Sequence, residues 1–294
     1  MISRVTNLTI QRSSLANLQT NLTSVSDLQA QLSSGKKVTK ASDDPAAAAQ
    51  LLSLRGDLAR TTQYARNSSD ATSWLNTVDT GLQTASSTLR RARDLVIQGG
   101  NTSLSQISKD ALATEIDGIK ESMLGVANTS YLGRSVFAGT SDAGAAFDST
   151  TYAWNGIDAA EVKRQVSDAT SVRVDSNGSE VFGEGTSSVF ATLDQISATL
   201  RAGGDPTTSL NQLDAHITDV KTELASVGAR ENQIEAATTT LTDKEASVKT
   251  QLSGIEDIDL AAVILSLQSA NVTYQAALGA TSKALTPSLM DYLQ

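Results

Sequence analysis

Two adjacent carboxylates, Asp43 and Asp44, are the first residues in this 294-residue sequence whose types and spacing could do chemistry. Such a pair can act as general acid and base, or can bind a metal ion. However, Pro45 and a run of alanines follow at once, and no histidine or further acid lies nearby. This arrangement is typical of a helix start, where Ser42, Asp43 or Asp44 caps the first turn. Capping is therefore the predicted role, and a catalytic or metal site is the alternative.

The single histidine, His216, is the second candidate, because Asp214 and Asp219 lie close to it in sequence. One histidine without a nucleophile or a second ligand is poor evidence for catalysis or zinc binding, so we expect a solvated helix position. The glycines of 178–185 match no phosphate-binding fingerprint. The sequence therefore predicts no catalytic residue, no metal ligand and no cofactor, and a protein that is not an enzyme.

Composition excludes further classes. The formal net charge is -9 and the pI is near 4.7, which disfavours nucleic acid as a partner because phosphate binding needs clustered Lys and Arg. The chain has no cysteine, so neither a disulfide framework nor a thiolate metal site can form. No stretch approaches 18 apolar residues, and the first residues lack the apolar core of a secretory signal. We expect neither a membrane span nor a cleaved signal.

The elements that carry these residues are long helices. The clearest is 213–255, where apolar residues recur in alternating steps of four and three, as in a coiled coil. Its seam contains the following residues: Leu213, Ile217, Val220, Leu224, Val227, Ile234, Leu241, Val248, Leu252 and Ile255. Three polar residues, Glu231, Thr238 and Glu245, interrupt it. At about 1.5 Å per residue the segment is a rod of roughly 64 Å that a partner helix must cover.

The chain ends carry two further seams. The first contains Leu8, Leu15, Leu18, Leu22, Val25 and Leu32. The second contains Leu260, Val263, Ile264, Leu267, Tyr274, Leu278 and Leu285. The last helix has no charged residue between Asp259 and Lys283, so we expect it to pack against the first seam and against neighbouring subunits. These thirteen residues are the predicted subunit-assembly surface.

Other helices are predicted from Pro45 to Gly99, between the polar link 101–103 and Gly133, and after Ser187–Ser188. The segment 135–185 differs, because it is rich in turn residues and strand formers. Strands are predicted at 135–139, 151–154, 162–166 and 171–174, with a turn at Asn177–Gly178 before Val181–Phe182. Tyr152 and Trp154 could form a binding surface, but a small core is the predicted use of so few aromatic residues.

The predicted fold is mainly α: an elongated antiparallel helical bundle or coiled coil formed by both chain ends, with a small β-rich insert in the middle. We divide it into a terminal coiled-coil domain of 1–44 plus 254–294, a helical rod domain of 45–134 plus 186–253, and a β-rich outer domain of 135–185.

Two groups of motifs at opposite ends resemble the bacterial flagellin superfamily. The first is Leu-Ser-Ser-Gly-Lys at 32–36 with Ala-Ser-Asp-Asp-Pro-Ala at 41–46, and it extends to 67–70 and Trp74-Leu75. The second is Val-Gly-Ala-Arg-Glu-Asn-Gln-Ile-Glu at 227–235 with Ser-Gly-Ile-Glu-Asp-Ile-Asp-Leu-Ala at 253–261. The signature residues are Ser33, Ser34, Gly35, Lys36, Ser42, Asp43, Asp44, Pro45, Gly228, Ala229, Arg230, Asn232, Ile255, Glu256 and Asp257.

The resemblance implies an extracellular structural component of the flagellum, exported without a cleaved signal through the flagellar type III apparatus. Within the superfamily, 136–140, 288–293 and the short middle region are more similar to the hook–filament junction proteins than to filament flagellin. That implies assembly as a homo-oligomeric ring between hook-associated protein 1 and flagellin, and an export chaperone at the C-terminal helix, with neither nucleic acid nor membrane as partner. The first alternative is a flagellin with a reduced outer domain. A signalling coiled coil or an enzyme is a less favoured alternative.

Overall fold

The structure, a computed structural model, describes residues 7–158 and 160–285, with side chains given for Thr9 and within 12–158 and 160–282. Its helices are α1 (Asn7–Ser34), α2 (Pro45–Gly99), α3 (Gln106–Ala127), α4 (Gly178–Phe182), α5 (Val189–Arg201), α6 (Leu210–Glu256) and α7 (Leu260–Leu285). Its strands are β1 (Ser130–Tyr131), β2 (Arg134–Ser135), β3 (Lys163–Gln165) and β4 (Ser171–Arg173). The mainly helical class predicted from sequence is confirmed.

The chain divides into two compact units. The first contains Met1–Ala59 and Glu245–Gln294, and the second contains Arg60–Lys244. In the first unit α1 packs along α7. Because α1 ends and α7 begins at one isolated β-bridge, between Lys36 and Asp257, the two helices run antiparallel. The three-part division predicted from sequence remains a prediction.

The heptad seams of α2 and α6 form the core of the second unit. The α2 seam predicted from the sequence contains Leu75, Val78, Leu82, Ala85, Leu89, Ala92 and Val96, and all of them are fully buried. On α6, the residues buried in this unit are Leu213, Ile217, Val220, Val227, Ile234 and Leu241. An apolar stripe along each helix is covered by the others, so the periodicity of the sequence is confirmed as a packing pattern.

The segment between α3 and α5 contains four strands, the number predicted, but only β3 and β4 lie within the predicted ranges. Residues 136–139 form a buried turn, and 151–154 contributes only a bridge between Trp154 and Phe147. The hairpin turn expected at Asn177–Gly178 is wrong. Asn177 is instead the N-cap of α4, since its Oδ1 accepts a hydrogen bond from Ser179 N at 3.1 Å. Asparagine favours turns and N-caps alike, so the sequence left this choice open.

Aromatic rings hold this segment together. Phe182 lies edge-on to Phe137 and Phe147, with centroid separations of 5.2 and 5.9 Å, and packs against Phe190 at 6.1 Å. Trp154 donates its indole Nε1–H to the carbonyl of Phe137 at 2.8 Å. Tyr152 and Trp154 both pack against the core, so the prediction that they serve packing is confirmed.

Candidate assembly site

The pair of α1 and α7 has an inner face on which the two helices cover each other. Val25 is 7% exposed, and Leu18, Leu32, Val263, Leu267 and Tyr274 are half-buried. These residues recur at steps of four or seven, so they lie along one side of each helix. Six of the thirteen predicted assembly residues therefore contact the partner helix of the same chain.

A second group of the predicted residues is exposed. It contains Leu15, Leu22, Leu260, Ile264 and Leu278. Two apolar residues that the heptad reading missed, Leu265 and Val272, are also 67% and 66% exposed. At 100° per residue they lie opposite Val263 and Leu267 on α7, so apolar side chains surround this helix. The absence of charge between Asp259 and Lys283 was the signal that could have found them. Predicted residues Leu8 and Leu285 lie outside the described side chains.

The link between α1 and α2 is fixed by local hydrogen bonds. Helix α1 ends at Ser34, and Gly35 follows with a φ of +71°, a left-handed conformation that favours glycine. Asp44 caps α2, because its Oδ1 accepts from the backbone N–H groups of Ala46 at 3.1 Å and Ala47 at 3.0 Å. Asp43 instead holds the loop before it. Backbone N–H donation from Lys40 and the Thr39 hydroxyl lower the pKa of the Asp43 carboxyl.

Glu256, at the end of α6, joins this link to the far end of the chain. Its carboxylate is 8% exposed and pairs with Lys36 and with Arg55, whose Nη2 lies 2.9 Å from Oε2. The backbone contributes as well, because Lys37 N donates to the Glu256 carbonyl at 2.6 Å and Ile258 N donates to the Gly35 carbonyl at 3.2 Å. Donation from Lys36, then from Arg55, lowers the pKa of Glu256. We call Lys36, Arg55 and Glu256 the terminal clasp.

Comparison with known proteins decides the family. The family model described as the bacterial flagellin N-terminal helical region matches residues 5–142, and the one described as the bacterial flagellin C-terminal helical region matches residues 210–293. The chain belongs to the bacterial flagellin family.

Individual relatives agree with this assignment. The chain is 29% identical over 284 residues to flagellar hook-associated protein 3 of Salmonella typhimurium, which covers 87% of each chain. It is 25% identical over 259 residues to flagellin of Bacillus subtilis, covering 83% of this chain and 84% of that one. A solved structure, a putative flagellar hook-associated protein from Vibrio parahaemolyticus, shares the fold with a TM-score of 0.68 at 22% identity, covering 73% of this chain and all of that chain.

The structure places the signature residues of this flagellin-family chain in two groups. One lies where α1, α2, α6 and α7 end or begin in the first unit, and it contains Ser33, Ser34, Gly35, Lys36, Ser42, Asp43, Asp44, Pro45, Ile255, Glu256 and Asp257. The other lies on α6 in the second unit, and it contains Gly228, Ala229, Arg230 and Asn232. The first group determines how the terminal helices start and stop.

Arg230 has a separate structural task in the second unit. Its guanidinium donates to the Asp175 carbonyl at 2.7 Å, to Glu223 Oε1 at 2.6 Å and to Ser226 Oγ at 2.9 Å. Glu223 also accepts from Ser176 Oγ. Arg230 therefore ties the segment that leads into α4 to the α6 rod, a contact that no sequence pattern indicated.

The solvated position expected for His216 is wrong. The side chain is half-buried, with Nε2 3.4 Å from Thr192 Oγ1 on α5, and burial lowers the pKa of the imidazole. It lies on the side of α6 that α5 covers. Within 7–158 and 160–285, no group of three or more His, Cys, Asp or Glu side chains could hold a metal ion, and no helix is long and apolar enough to cross a bilayer.

Replacing Asp44 by alanine should weaken the start of α2. The Ala46 and Ala47 N–H groups would lose their acceptor, which costs about 1 kcal/mol at an N-cap. Hydrogen exchange at these two amides should accelerate about fivefold. Ser42→Ala is the matched control, because the one described hydrogen bond of the Ser42 hydroxyl is to Asp43 Oδ1, at 3.5 Å. Equal exchange in both variants would contradict the capping role.

The terminal clasp should make the first unit sensitive to acid. Glu256 has a lowered pKa when folded, so its stabilisation is complete above the ordinary carboxyl pKa of 4.5 and is lost as pH falls through the folded value. Glu256→Gln should remove about 1–3 kcal/mol at pH 7 and flatten this dependence. Hydrogen exchange of the Lys37 and Ile258 amides measures both the loss of stability and its dependence on pH. Glu245→Gln, which breaks only the exposed pair with Lys249, should leave the acid dependence unchanged.

Proposed function

We propose that this flagellin-family protein is a structural junction protein between the hook and the filament of the bacterial flagellum. The observation that carries the proposal is its similarity to a hook-associated protein 3 along nearly the whole length of both chains. As a flagellar component it belongs to the extracellular flagellum. The family is structural and non-enzymatic.

The terminal helix pair supports assembly as the mechanism. An exposed helix in a soluble monomer usually has one apolar stripe and one charged face, whereas α7 has apolar residues all round and no charge from Leu260 to Ser282. Helix α1 covers only the side of Val263, Leu267 and Tyr274. Two exposed sides remain, one with Leu260 and Ile264 and one with Leu265 and Val272. We propose that neighbouring flagellar subunits cover them.

The identities of those neighbours follow from the proposed position. A junction protein meets hook-associated protein 1 on one side and flagellin on the other, and copies of the chain meet each other in a ring. An apolar helix also needs cover before assembly. We propose that an export chaperone binds α7 in the cell, since the terminal helices depend on packing for their stability and are marginal alone. We also propose that the chain leaves the cell without a cleaved signal.

The second candidate is a filament flagellin with a reduced outer domain. The similarity to Bacillus subtilis flagellin over more than four fifths of both chains favours it, because a filament-forming relative need not be longer than this chain. The two functions differ in one property. A flagellin adds to copies of itself without limit, whereas a junction protein binds different neighbours at its two ends.

Electron microscopy of the purified full chain tests this difference. The chain is brought to salting-out conditions, which strengthen apolar association, with and without flagellar filament seeds. We expect monomers, rings or short caps on the seeds. Long filaments of the chain alone would overturn the junction assignment and favour flagellin. In a second arm, the gene should restore filaments to a bacterium that lacks its own junction protein but not to one that lacks flagellin.

A further inference from the structure

The hairpin of β1 and β2 ends in a turn that its sequence does not favour. Ser130 pairs with Ser135 and Tyr131 pairs with Arg134, so Leu132 and Gly133 form a two-residue loop. Both have positive φ, +49° and +79°. Two-residue hairpin turns of this kind prefer Asn-Gly or Asp-Gly, because few side chains tolerate the left-handed region. Leucine is unfavourable in the first position.

Among the residues that the structure describes, none offsets this cost. Leu132 is 81% exposed, so its side chain contributes almost no packing. Arg134, two residues on, is also exposed and donates only to the carbonyl of Thr140, at 3.2 Å. No carboxylate among the described residues pairs with it. A strained, exposed leucine beside a cation that lacks a carboxylate partner among the described residues is expected where a partner binds, since strain persists at sites that use it.

A groove between α2 and α6 has carboxylates that complement the cation at the hairpin tip. It has a volume of about 340 Å³ and is lined by Thr72, Asn76, Glu231, Glu235, Thr238 and Thr239. Glu231 occupies a seam position of the α6 heptad, and no described residue donates a hydrogen bond to its buried Oε1. Burial, and then the charge of Asp79, raise the pKa of Glu231. Glu235 is exposed at the rim without a cation partner among the described residues.

The tip and the groove lie at the same level of the rod on opposite sides of α2. Tyr131 packs edge-on against Trp74, with ring centroids 5.5 Å apart, and its hydroxyl lies 3.5 Å from Asp70 Oδ1. The groove residues Thr72 and Asn76 are each two positions beyond these, which is about 200° around the helix but only about 3 Å along it. A side-by-side copy at the same height can therefore bring its tip to this groove.

We propose that the hairpin tip of one copy docks into the α2–α6 groove of the next copy, with Leu132 filling the groove and Arg134 pairing with Glu231 and Glu235. The contact is heterologous, joining two different surfaces at equal height, so repetition with rotation closes a ring. Residues 60–244 carry 23 acidic and 15 basic side chains, a net charge of −8, so neighbouring copies repel except where a cation meets carboxylates. The inference rests on the proposed function, because it needs copies as lateral neighbours.

Thiol cross-linking tests the contact without background, since the chain has no cysteine. The double variant Tyr131→Cys with Thr239→Cys, which leaves Leu132 and Arg134 in place, is treated with a short bis-maleimide reagent and should give a ladder of covalent oligomers on a denaturing gel. The matched control is Tyr131→Cys with Thr88→Cys. Thr88 lines a different groove, between α2 and α3, and like Thr239 it bonds its hydroxyl to the carbonyl four residues earlier. The control should give at least tenfold less ladder.

Two arms separate this inference from the proposed function. One uses the purified chain under salting-out conditions, and the other uses flagella from a complemented junction-deficient bacterium. Restored filaments without a ladder in either arm would overturn the docking and leave the junction function standing. A ladder from a chain that grows long filaments by itself would support the docking and overturn the junction function. Equal ladders from the Thr239 and Thr88 variants would also overturn the docking.

Two variants in the cross-linking background exclude a folding artefact. Leu132→Asn keeps the turn and removes its strain, so it should hold or raise the melting temperature. In the purified-chain arm, a chain carrying Leu132→Asn with Tyr131→Cys and Thr239→Cys should give less than a tenth of the ladder of the same cysteine pair with Leu132 intact. Arg134→Glu should also lose the ladder, and adding Glu235→Arg should restore part of it. A ladder unaffected by all of these changes contradicts the proposal.

Discussion

Replacing Leu267 by aspartate is expected to abolish assembly while leaving the 60–244 unit folded. Leu267 lies half-buried on the face of α7 that packs against α1. An unpaired carboxylate there costs about 3 kcal/mol or more, which lowers the affinity of a contact at least roughly hundredfold. The α1–α7 pair should separate, and these helices of 28 and 26 residues hold roughly a quarter of the helical residues that the structure describes. Far-ultraviolet circular dichroism measures the loss.

The control for this experiment is Leu267→Met, which keeps the volume and should cost less than about 1.5 kcal/mol. Seeded assembly viewed by electron microscopy gives the functional readout for both variants. Loss of nearly the whole helical signal in Leu267→Asp would show that the terminal pair is not a separable layer. Normal capping of seeds by Leu267→Asp would remove α7 from the proposed interface.

The helices of this protein are predictable because one periodic pattern determines each of them. Every α2 seam residue from Leu75 to Val96 is buried, and the α6 rod begins and ends within three residues of the prediction. The residues that end and start helices were equally informative. Gly35 ends α1 in a left-handed conformation, and Asp44 with Pro45 starts α2. These signals are local, so they need no knowledge of the rest of the chain.

The middle segment was predicted less well because its residues serve two local structures equally. Asn177 and Gly178 are typical of a hairpin turn, yet they start α4, because the carbonyl of Phe137 takes the Gly178 N–H at 3.0 Å. That acceptor lies 41 positions earlier in the chain. The strand predicted over 135–139 likewise gave way to a buried turn at 136–139, in which the Phe137 carbonyl accepts hydrogen bonds from both Gly178 N and Trp154 Nε1. Contacts distant in sequence decided both cases.

The site itself was predictable as a surface but not as a set of contacts. Heptad spacing identified Leu18 and Leu22 together, although the first is half-buried and the second exposed, because spacing does not say which neighbour covers a residue. The terminal clasp joins Lys36, Arg55 and Glu256 across some two hundred positions, and no sequence pattern links them. No sequence pattern indicated that His216 faces α5 either. Which helices pair depends on contacts between residues that are distant in sequence.

Replacing Phe182 by alanine should cause the largest loss of stability in the second unit. The side chain is fully buried and touches the rings of Phe137, Phe147 and Phe190. Removing a buried ring and leaving a cavity costs about 3–5 kcal/mol. Guanidinium unfolding followed by tryptophan fluorescence measures it directly, because both tryptophans, Trp74 and Trp154, lie in this unit.

Phe182→Leu provides the control, because it keeps most of the volume and loses only the ring contacts with Phe137, Phe147 and Phe190, each worth about 0.5–1.5 kcal/mol. A loss below about 1 kcal/mol in Phe182→Ala would mean that the four rings do not form one core. We therefore expect the free energy of unfolding to be far lower with alanine at position 182 than with leucine. Four phenylalanines are all that this chain contains, and all four lie in this cluster, so the segment between α3 and α5 depends on ring packing where its four short strands supply few ladder bonds.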